Sequence, residues 1–400
     1  MSKAIWFVFL FCCLCFSGVD AASIKEPNVA GAFYSANSQE LSHQIDSFIQ
    51  QASISPVAAR VQAMIVPHAG YIYSGQVAAY GYKAVSQNKY TTIVILAPSH
   101  YFPFEGISVW LEGGFKTPLG VAHVDEDFAK KLIKADSRFR FLPQVFEQEH
   151  SVEVELPFIQ KVFGSVVKIV PVLMGNPDIK VCQKLAVVLD GLIGSRQDVL
   201  VVASSDMSHY FDYETANQMD ALTLGAISEE DPPKLWNGCL SRRMEMCGFV
   251  PVTTVLLYAK ERGLKVSVLK HANSGDTAGD KSRVVGYSSV IFYEDQTHPT
   301  LSAGQKKVLL ALARSSIESF VTTGKTARVT TSDPRLLKTQ GAFVTLTKHG
   351  QLRGCIGSIV GDKPLWQTIR EMSIAAASAD PRFPPVSKDE LKDIDIEISV

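Results

Sequence analysis

One pattern recurs between Val61 and Tyr293: a short apolar run rich in β-branched residues, then a polar loop, then a stretch with helical spacing. The apolar runs are Val61–Val66, Thr92–Ala97, Lys168–Leu173, Asp198–Ala203, Lys265–Lys270 and Val284–Tyr293. Runs this short, without clean alternation of apolar and polar positions, are typical of strands that are buried on both faces. Because helical stretches separate them, the pattern predicts an α/β domain with a mostly parallel central sheet and helices on both faces.

Charge and length exclude several classes of protein. The chain has 400 residues, with 39 Lys and Arg against 40 Asp and Glu, so its formal net charge is −1. This balance argues against a nucleic-acid-binding protein, because such proteins need a basic surface that displaces counterions from phosphate. A chain of this length is too long for one average domain and predicts two.

The first 22 residues are predicted to be a secretory signal peptide. Lys3 precedes an unbroken apolar stretch, Ala4–Phe16, and small residues follow, with Ala21 and Ala22 as suitable cleavage positions. The stretch is shorter than the roughly 18–20 residues that cross a bilayer. An uncleaved anchor is the alternative. We therefore expect an exported protein, periplasmic or secreted, without a stable membrane span.

The cysteines do not form a disulfide framework. The chain has seven, and three of them, Cys12, Cys13 and Cys15, lie in the predicted signal peptide. The other four are spread from position 182 to position 355. Disulfide-rich scaffolds are short and closely spaced, so this distribution favours other roles for the remaining thiols.

The composition changes after Tyr293. Residues 294–301 are polar and contain a proline, which predicts a linker, and Ser302 is a candidate helix cap. Residues 302–400 predict a smaller α+β domain with a tight turn at Lys348–Gly350. Its predicted elements are the helices Gln305–Val321 and Leu365–Ser378 and the strands Ala342–Thr347 and Ile394–Val400.

Two histidines follow neighbouring strands at matched positions. His68 comes after the run Val61–Val66 and His100 after Thr92–Ala97, each with a proline one or two residues before it. Proline restricts the backbone there, and ligand sites in open α/β sheets form beyond the carboxyl ends of the strands. Both are therefore candidate metal ligands, although a histidine that caps a strand end would look the same.

Cys247 adds a third candidate ligand in the loop before a predicted helix. Two imidazoles and a thiolate leave an open coordination position, and zinc, copper and iron each accept such a set. The alternative is that Cys247 is a small buried apolar residue.

Asp206 and His209 form a second polar cluster after the strand that ends at Ala203. If the loop enters a helical turn, the two side chains share a face, and Asp206 orients His209 for acid–base catalysis. The alternative is an ordinary helix cap by Ser205 or Asp206. A hydrolase that pairs Cys247 with His209 is also consistent with the sequence.

The third cluster is Glu149–Pro157, in which acidic and apolar residues alternate. It is consistent with a solvated helix start that has Glu149 and Glu153 outside. It is equally consistent with a loop that brings His150 into the cleft to support a ligand.

These stretches together resemble the Memo family, protein B of the AmmeMemoRadiSam system. Order and spacing match over roughly residues 25–293, and the C-terminal part resembles the AMMECR-type domain, protein A of the same system. The matching segments are Val29–Tyr34, Pro67–Tyr71, Pro98–His100, Thr117–Gly120, Glu149–Glu153, Ile169–Leu173, Ser204–His209 and Cys247–Gly248, and in the C-terminal part Leu352–Gly357 and Ala379–Phe383.

The resemblance implies a Memo-like domain over residues 23–293 and an AMMECR-like domain over residues 302–400. AMMECR-type domains normally continue beyond a strand like Ile394–Val400, so this one is expected to be incomplete. A functional link to a radical-SAM protein is also implied. For the AMMECR-like part, Arg353 and Cys355 are the polar candidates, and a tight glycine-flanked turn is the expected reason for the Leu352–Gly357 motif.

Memo proteins look like class III, non-haem iron extradiol dioxygenases in fold. In that comparison His68 and His100 match two metal-ligating histidines, and His209 matches the acid–base histidine. Cys247 falls where the dioxygenases use a glutamate, which argues against ring cleavage and shifts the metal preference toward copper or zinc.

The function expected from this resemblance is a metal-dependent redox enzyme with an unidentified small-molecule or protein substrate. One transition-metal ion, iron or copper with zinc as a further option, is held by His68, His100 and Cys247. His209, oriented by Asp206, transfers a proton, and His150 supports the ligands. The alternatives are a peptide- or protein-binding module in the same cleft and the Cys–His hydrolase.

Overall fold

The computed structural model describes residues 24–55, 57, 59–294, 301–326 and 330–400. The predicted signal peptide and most of the predicted linker lie outside the described residues. The predicted fold class is confirmed: a large sheet flanked by helices is followed by a smaller C-terminal domain with its own sheet. Within the described part of the chain, no helix is long and apolar enough to cross a membrane.

The elements of the described ranges follow in chain order. The strands are β1 (Ile24–Lys25), β2 (Val61–Val66), β3 (Thr92–Pro98), β4 (Ile107–Val109), β5 (Gly114–Thr117), β6 (Gly120–His123), β7 (Phe139–Arg140), β8 (Lys168–Met174), β9 (Val199–Ser204), β10 (His209–Phe211), β11 (Lys265–Asn273), β12 (Val284–Tyr293), β13 (Ala342–Lys348), β14 (Gln351–Ser358) and β15 (Ile394–Ser399). The helices are α1 (Ser38–Gln51), α2 (Tyr71–Val85), α3 (Glu126–Ile133), α4 (Leu156–Phe163), α5 (Ile179–Ile193), α6 (Tyr213–Ser228), α7 (Pro232–Leu240), α8 (Phe249–Arg262), α9 (Ser274–Ala278), α10 (Ala303–Thr323) and α11 (Leu365–Ser378).

The large sheet has nine strands in the order β10-β12-β2-β9-β3-β8-β4-β7, with β11 also paired to β12. Its centre, β2-β9-β3-β8, is parallel, whereas β12 runs antiparallel to β2, and β4 antiparallel to β8. Every residue of β2, β3 and β9 is buried, as the unbroken apolar runs predict. The carboxyl ends of the parallel strands therefore meet at one edge of the sheet.

The prediction that Lys265–Lys270 forms a central strand of the sheet is wrong. β11, which contains the run Lys265–Lys270, lies antiparallel to β12 and is mostly half-buried. Its sequence alternates Lys265, Val266, Ser267 and Val268, and such alternation is typical of a strand with one solvated face. His271 consequently lies inside this strand and not beyond a carboxyl end.

In the C-terminal domain the strands are ordered β14-β13-β15, and α10 and α11 pack together, with α11 also on β13 and β14. The predicted turn is confirmed: His349 and Gly350 connect β13 to β14, and both have positive φ, as two-residue hairpin turns require. The expected turn at Leu352–Gly357 is wrong, because these residues lie within β14. The side chain of Arg353 forms an ion pair with Glu390 at 3.0 Å.

A close approach between strand and helix accounts for Gly354. A Cβ at this position would lie 2.2 Å from the backbone oxygen of Ala376 in α11. Backbone cannot move aside as a flexible side chain can, so the strand and the helix would have to separate.

We therefore expect Gly354→Ala to destabilise this domain by about 1–3 kcal/mol, the usual range for overpacking. Hydrogen–deuterium exchange of the β13 and β14 amides measures the change locally. Gly304→Ala is the matched control, since Gly304 is exposed in α10 and a Cβ there meets only Ser302 Oγ at 3.8 Å. Equal protection of both variants would contradict the packing explanation.

Candidate metal centre

The carboxyl ends of β2 and β3, which are not neighbouring strands as the sequence suggests, place the first two candidate ligands. His68 follows β2 and His100 follows β3, and β9 lies between these two strands in the sheet. Cys247 approaches the same edge from the loop before α8. The ring planes of His68 and His100 are nearly perpendicular, with centroids 5.2 Å apart. Residues about 180 positions apart in the chain thus meet at one end of the sheet.

The three candidate ligands converge. Each of His68, His100 and Cys247 offers one ligand atom, and these atoms lie within 4.8 Å of one another. Nε2 of His68 lies 3.2 Å from Sγ of Cys247. Zinc bonds of about 2.0–2.1 Å to nitrogen and 2.3 Å to sulfur, in tetrahedral geometry, place the two atoms about 3.5 Å apart. The donor set and its spacing therefore fit a single transition-metal ion.

Hydrogen bonds engage the opposite nitrogen of each histidine ring. Nδ1 of His68 lies 2.8 Å from Ser204 Oγ, and Nδ1 of His100 lies 2.9 Å from Glu149 Oε1. Histidines that bind metals in proteins usually have this second contact, because it sets the tautomer and the ring orientation. Nε2 is the nitrogen left to each ring for a metal.

Glu149 is the centre of a buried hydrogen-bond cluster. Its carboxylate accepts from the backbone N–H of His100, His150 and Ser151 as well as contacting the ring of His100. Burial alone would raise the pKa of Glu149, but the donors at His100 and Ser151 outweigh burial and lower that pKa to about 2. The carboxylate therefore stays ionised beside the candidate ligand His100.

The solvated helix start is the wrong interpretation of Glu149–Pro157. Glu149, Glu153 and Glu155 are all buried. The alternation of acidic and apolar residues is the signal that decides between the two interpretations, because Val152 and Val154, on either side of Glu153, are buried with it. Each acid instead has buried hydrogen-bond partners, as buried polar groups must.

Glu153 ties the N-terminal segment to the site. It accepts hydrogen bonds from the backbone N–H of Asn28 and Val29, and from the hydroxyl of Tyr34. This segment places the ring of Phe33 4.9 Å from that of His150.

His150 lies against the candidate ligands, with its Nδ1 3.4 Å from Oε1 of Glu149. Its ring stacks on that of His100, with centroids 4.8 Å apart. Among the described residues, its buried Nδ1 makes no hydrogen bond. Burial lowers the pKa of His150 to about 4, against a smaller opposing effect of Glu149. The neutral imidazole is therefore the form present at neutral pH.

Sγ of Cys247 has one backbone N–H donor and several other polar neighbours. The backbone N–H of Asp206 points to Sγ at 3.3 Å, and Ser205 Oγ lies 3.8 Å away. Burial raises the pKa of the Cys247 thiol, and burial together with the nearby histidines lowers that of His68. The cysteines that the structure describes, including Cys239, are free thiols.

Asp206 does not orient His209 in the way the sequence suggests. Oδ1 of Asp206 accepts from the backbone N–H of His68 at 2.9 Å and of Ala69 at 3.3 Å, and burial raises its pKa to about 6. The chain after β9 is not helical, and it enters β10 at His209. Side chains three residues apart share a face of a helix but point to opposite sides of an extended chain. Asp206 instead supports the loop that carries His68.

Glu245 is the carboxylate beside His209. Its Oε1 accepts from the backbone N–H of His209 at 3.0 Å and lies 3.5 Å from the ring Nδ1. The residue stands two positions before Cys247, so one loop supplies both groups. Sequence reasoning missed Glu245, and nothing in the local pattern distinguishes it from an ordinary surface acid.

Comparisons with known proteins bear on both parts of the chain. A family model described as Memo-like protein matches residues 25–291, and one described as AMMECR1 matches residues 310–400. A MEMO1 family protein of Sulfolobus acidocaldarius is 38% identical over 283 residues, and one of Thermotoga maritima is 37% identical over 282 residues. Each alignment covers 67% of this chain and 99% of the relative.

Two solved structures are similar to parts of the chain. An uncharacterized protein of Pyrococcus horikoshii is 37% identical, covering 23% of this chain and 49% of that chain, with a TM-score of 0.23. An uncharacterized protein of Escherichia coli K12 is 13% identical, covering 58% of this chain and 100% of that chain, with a TM-score of 0.40.

Proposed function

The chain belongs to the Memo family, and from this membership we propose that it is a metal-dependent enzyme of the oxidoreductase type. A single transition-metal ion would be held by His68, His100 and Cys247. The observation that carries the proposal is the convergence of these three ligand atoms within 4.8 Å. Iron and copper are the ions we favour, with zinc as a further option, because imidazole and thiolate together suit all three.

The ligand set has the properties of a catalytic site rather than a structural one. Three protein ligands leave a coordination position open, whereas structural sites close all four. The side chain of His100 is 27% exposed, so the centre has a side that faces solvent. A bound ion of this type supplies Lewis acidity and, for iron or copper, one-electron chemistry.

The remaining polar groups of the site would handle protons. His209, whose side chain is 26% exposed, would exchange a proton with a substrate or with solvent, and Oε1 of Glu245 lies 3.5 Å from its Nδ1. His150 offers a neutral imidazole stacked on His100. Asp206 would act indirectly, through the backbone of His68 and Ala69.

Metal analysis of the full-length protein tests the proposal. We expect close to one transition-metal ion per chain in protein recovered from its own compartment, with the oxidation state determined on the same sample. His68→Ala and His100→Ala are each expected to abolish stoichiometric metal, because each removes one of three ligands. His43→Ala is the control, since His43 is exposed on α1. Wild-type metal content in both ligand variants would overturn the proposal.

A Cys–His hydrolase is the second candidate, because Sγ of Cys247 lies 3.2 Å from an imidazole nitrogen. The partner is His68, however, and not His209 as the sequence suggests. A raised thiol pKa and a lowered imidazole pKa favour the neutral pair, the opposite of the thiolate–imidazolium pair that such enzymes use. Rapid alkylation of Cys247 in metal-free protein at neutral pH would favour the hydrolase.

The peptide- or protein-binding module is the third candidate, and it makes a different prediction. Binding of the partner would survive the replacement of all three ligand residues, since no step would depend on them. The metal-dependent enzyme would lose its activity in the same variants.

We also propose export of the mature protein through a signal peptide at residues 1–22, with a Memo-like domain at 23–293, a linker at 294–301 and an AMMECR-like domain at 302–400. A radical-SAM protein is the proposed functional partner. N-terminal sequencing of protein recovered outside the cytoplasm tests the first point: a mature chain that begins at Ala22 or Ser23 would support it, and one that begins at Met1 would contradict it.

A further inference from the structure

A chain of hydrogen bonds leads from His68 into the protein interior. Nδ1 of His68 lies 2.8 Å from Ser204 Oγ, which lies 2.8 Å from Glu155 Oε1. The other carboxyl oxygen of Glu155 accepts from the hydroxyl of Tyr82 at 2.7 Å. All four residues are at most 1% exposed. Hydrogen bonds among such groups cannot be exchanged for bonds to bulk water, so each hydrogen must have a definite place.

Counting hydrogens at Ser204 determines the state of His68. The hydroxyl has one hydrogen and three neighbours: His68 Nδ1, Glu155 Oε1 and the backbone oxygen of Ser151 at 2.7 Å. The Ser151 oxygen can only accept, so a hydroxyl that donated to Nδ1 of His68 would leave that oxygen 2.7 Å from Oγ with no hydrogen between them; the hydroxyl hydrogen therefore does not go to His68. Ser204 Oγ then presents a lone pair to His68, so Nδ1 must carry a proton. In a neutral ring Nε2 is then unprotonated, and it is this nitrogen that faces Sγ of Cys247.

The same count determines the state of Glu155. If the Ser204 hydrogen goes to Ser151, an ionised Glu155 would place an oxygen 2.8 Å from Oγ with no hydrogen between them. If the hydrogen goes to Glu155, the Ser151 oxygen lies 2.7 Å from Oγ without one. A protonated Glu155 that donates to Ser204 removes both conflicts. Every contact of Ser204 is then a hydrogen bond.

The electrostatics of Glu155 agree with this assignment. Burial raises the pKa of Glu155 to about 8, and hydrogen bonds from Tyr82 and Ser204 oppose the rise only in part. The other charged or titratable groups that act on it are Asp206, which also raises its pKa, and Tyr71, whose own pKa rises partly because of Glu155.

We propose that Glu155, as a neutral acid, is a positioning residue of the metal centre. It donates to Ser204, and Ser204 accepts from Nδ1 of His68, so that Nε2 of His68 is held free for the metal. This inference rests on the proposed function, because it assigns a role toward a metal bound at His68. Negative charge at the centre then comes from Cys247, and from Glu149 in contact with the ring of His100, and not from Glu155.

Nitrogen-15 NMR of the full chain with labelled histidine tests the tautomer directly. In metal-free wild-type protein we expect Nδ1 of His68 to be protonated and Nε2 to be unprotonated, with His68 assigned from the signal lost in His68→Gln. A His68 protonated on Nε2 would overturn the proposal. This readout needs no bound metal, so it separates failure of the inference from failure of the proposed metal function.

Two substitutions at Glu155 then test its protonation state through Zn²⁺ affinity. Glu155→Gln keeps the shape and an N–H donor toward Ser204, so tautomer and affinity should stay within about threefold of wild type. Glu155→Leu removes the donor, and we expect the Zn²⁺ affinity to fall roughly 10–100-fold. This is the usual effect of removing a residue that supports a metal ligand through hydrogen bonds. A loss in Glu155→Gln as large as in Glu155→Leu would show that an anion is needed and would overturn the proposal.

Tyr90→Phe is the control for loss of a buried hydrogen bond elsewhere, because the Tyr90 hydroxyl lies outside this chain of hydrogen bonds and donates to the backbone oxygen of Val61. We expect it to leave the His68 tautomer and the Zn²⁺ affinity unchanged. If Glu155→Leu does not fold, the wild-type NMR result and the isosteric Glu155→Gln variant still decide the question. If wild-type protein has the expected tautomer but binds no Zn²⁺ or other metal, the tautomer assignment stands and the metal function fails.

Discussion

Replacing Cys247 by serine is expected to lower the affinity for Co²⁺ or Zn²⁺ by roughly a hundredfold or more. Cys247 supplies the one thiolate among the three candidate ligands, and its thiolate is the anionic donor that imidazoles cannot replace. Loss of a residue that hydrogen-bonds to a metal ligand already lowers metal affinity about 10–100-fold. Loss of the ligand itself should lower the affinity at least as much. A Co²⁺ titration measures both the affinity and the thiolate-to-metal absorption, which the variant should lack.

Cys239→Ser is the control for this experiment. Cys239 is also a free, partly buried thiol, it lies eight positions away, and it is not part of the candidate ligand group of His68, His100 and Cys247. Its replacement should leave the titration and the spectrum unchanged. If Cys247→Ser binds Co²⁺ as tightly as wild type, or keeps the absorption, the thiolate is not a ligand.

Replacing Glu149 by glutamine is the second large effect we expect. The carboxylate accepts three backbone hydrogen bonds and contacts Nδ1 of His100. Glutamine offers one accepting oxygen and turns an NH₂ group toward N–H donors. We expect a loss of metal affinity of roughly 10–100-fold, because His100 loses its orienting partner. We also expect a loss of folding stability of about 1–3 kcal/mol, because buried donors are left unpaired.

The stability effect should depend on pH with a definite sign. Hydrogen bonds lower the pKa of Glu149 from an ordinary value of 4.5 to about 2. The contribution of Glu149 to the free energy of unfolding is therefore complete above about pH 4.5 and is lost as the pH falls toward 2. The difference in unfolding free energy between wild type and Glu149→Gln, from denaturant titrations, should narrow over that range. Glu147→Gln, at an exposed position two residues away, should show no such dependence. A difference that stays constant down to pH 2 would contradict this account.

Several features of the fold and site can be predicted from the sequence because they depend only on interactions within a short segment of the chain. Unbroken apolar runs must be buried on both sides, which places β2, β3 and β9 at the centre of the sheet. A histidine just after such a strand must lie at the carboxyl edge, whatever the rest of the chain does, and His68 and His100 do. The tight turn at His349 and Gly350 likewise needs only its own two residues to reach positive φ.

The sequence interpretations that were wrong concern residues whose conformation and contacts depend on parts of the chain that are distant in sequence. Asp206 and His209 have the spacing of a helix face, but pairing of β10 with β12 extends the chain there, and Asp206 bonds the backbone of His68 and Ala69 instead. Glu149 and Glu153 look like surface acids until the backbone donors at residues 28, 29, 100, 150 and 151 are in place to bind them. Gly354 looks like a turn residue, yet its glycine is required because α11 passes directly over β14.

From the sequence alone come the α/β architecture, the edge of the sheet at which chemistry can occur, and the candidate ligands His68, His100 and Cys247. These depend on hydrophobic periodicity and on residue types at strand ends, which act over a few neighbouring positions. The tertiary structure decided which residues hydrogen-bond to the candidate ligands. Glu149 contacts Nδ1 of His100, and Ser204, which is itself bonded to Glu155, contacts Nδ1 of His68. A buried polar group hydrogen-bonds to whichever residue the folded chain places next to it. Such partners are distant in sequence, so local residue spacing does not predict them.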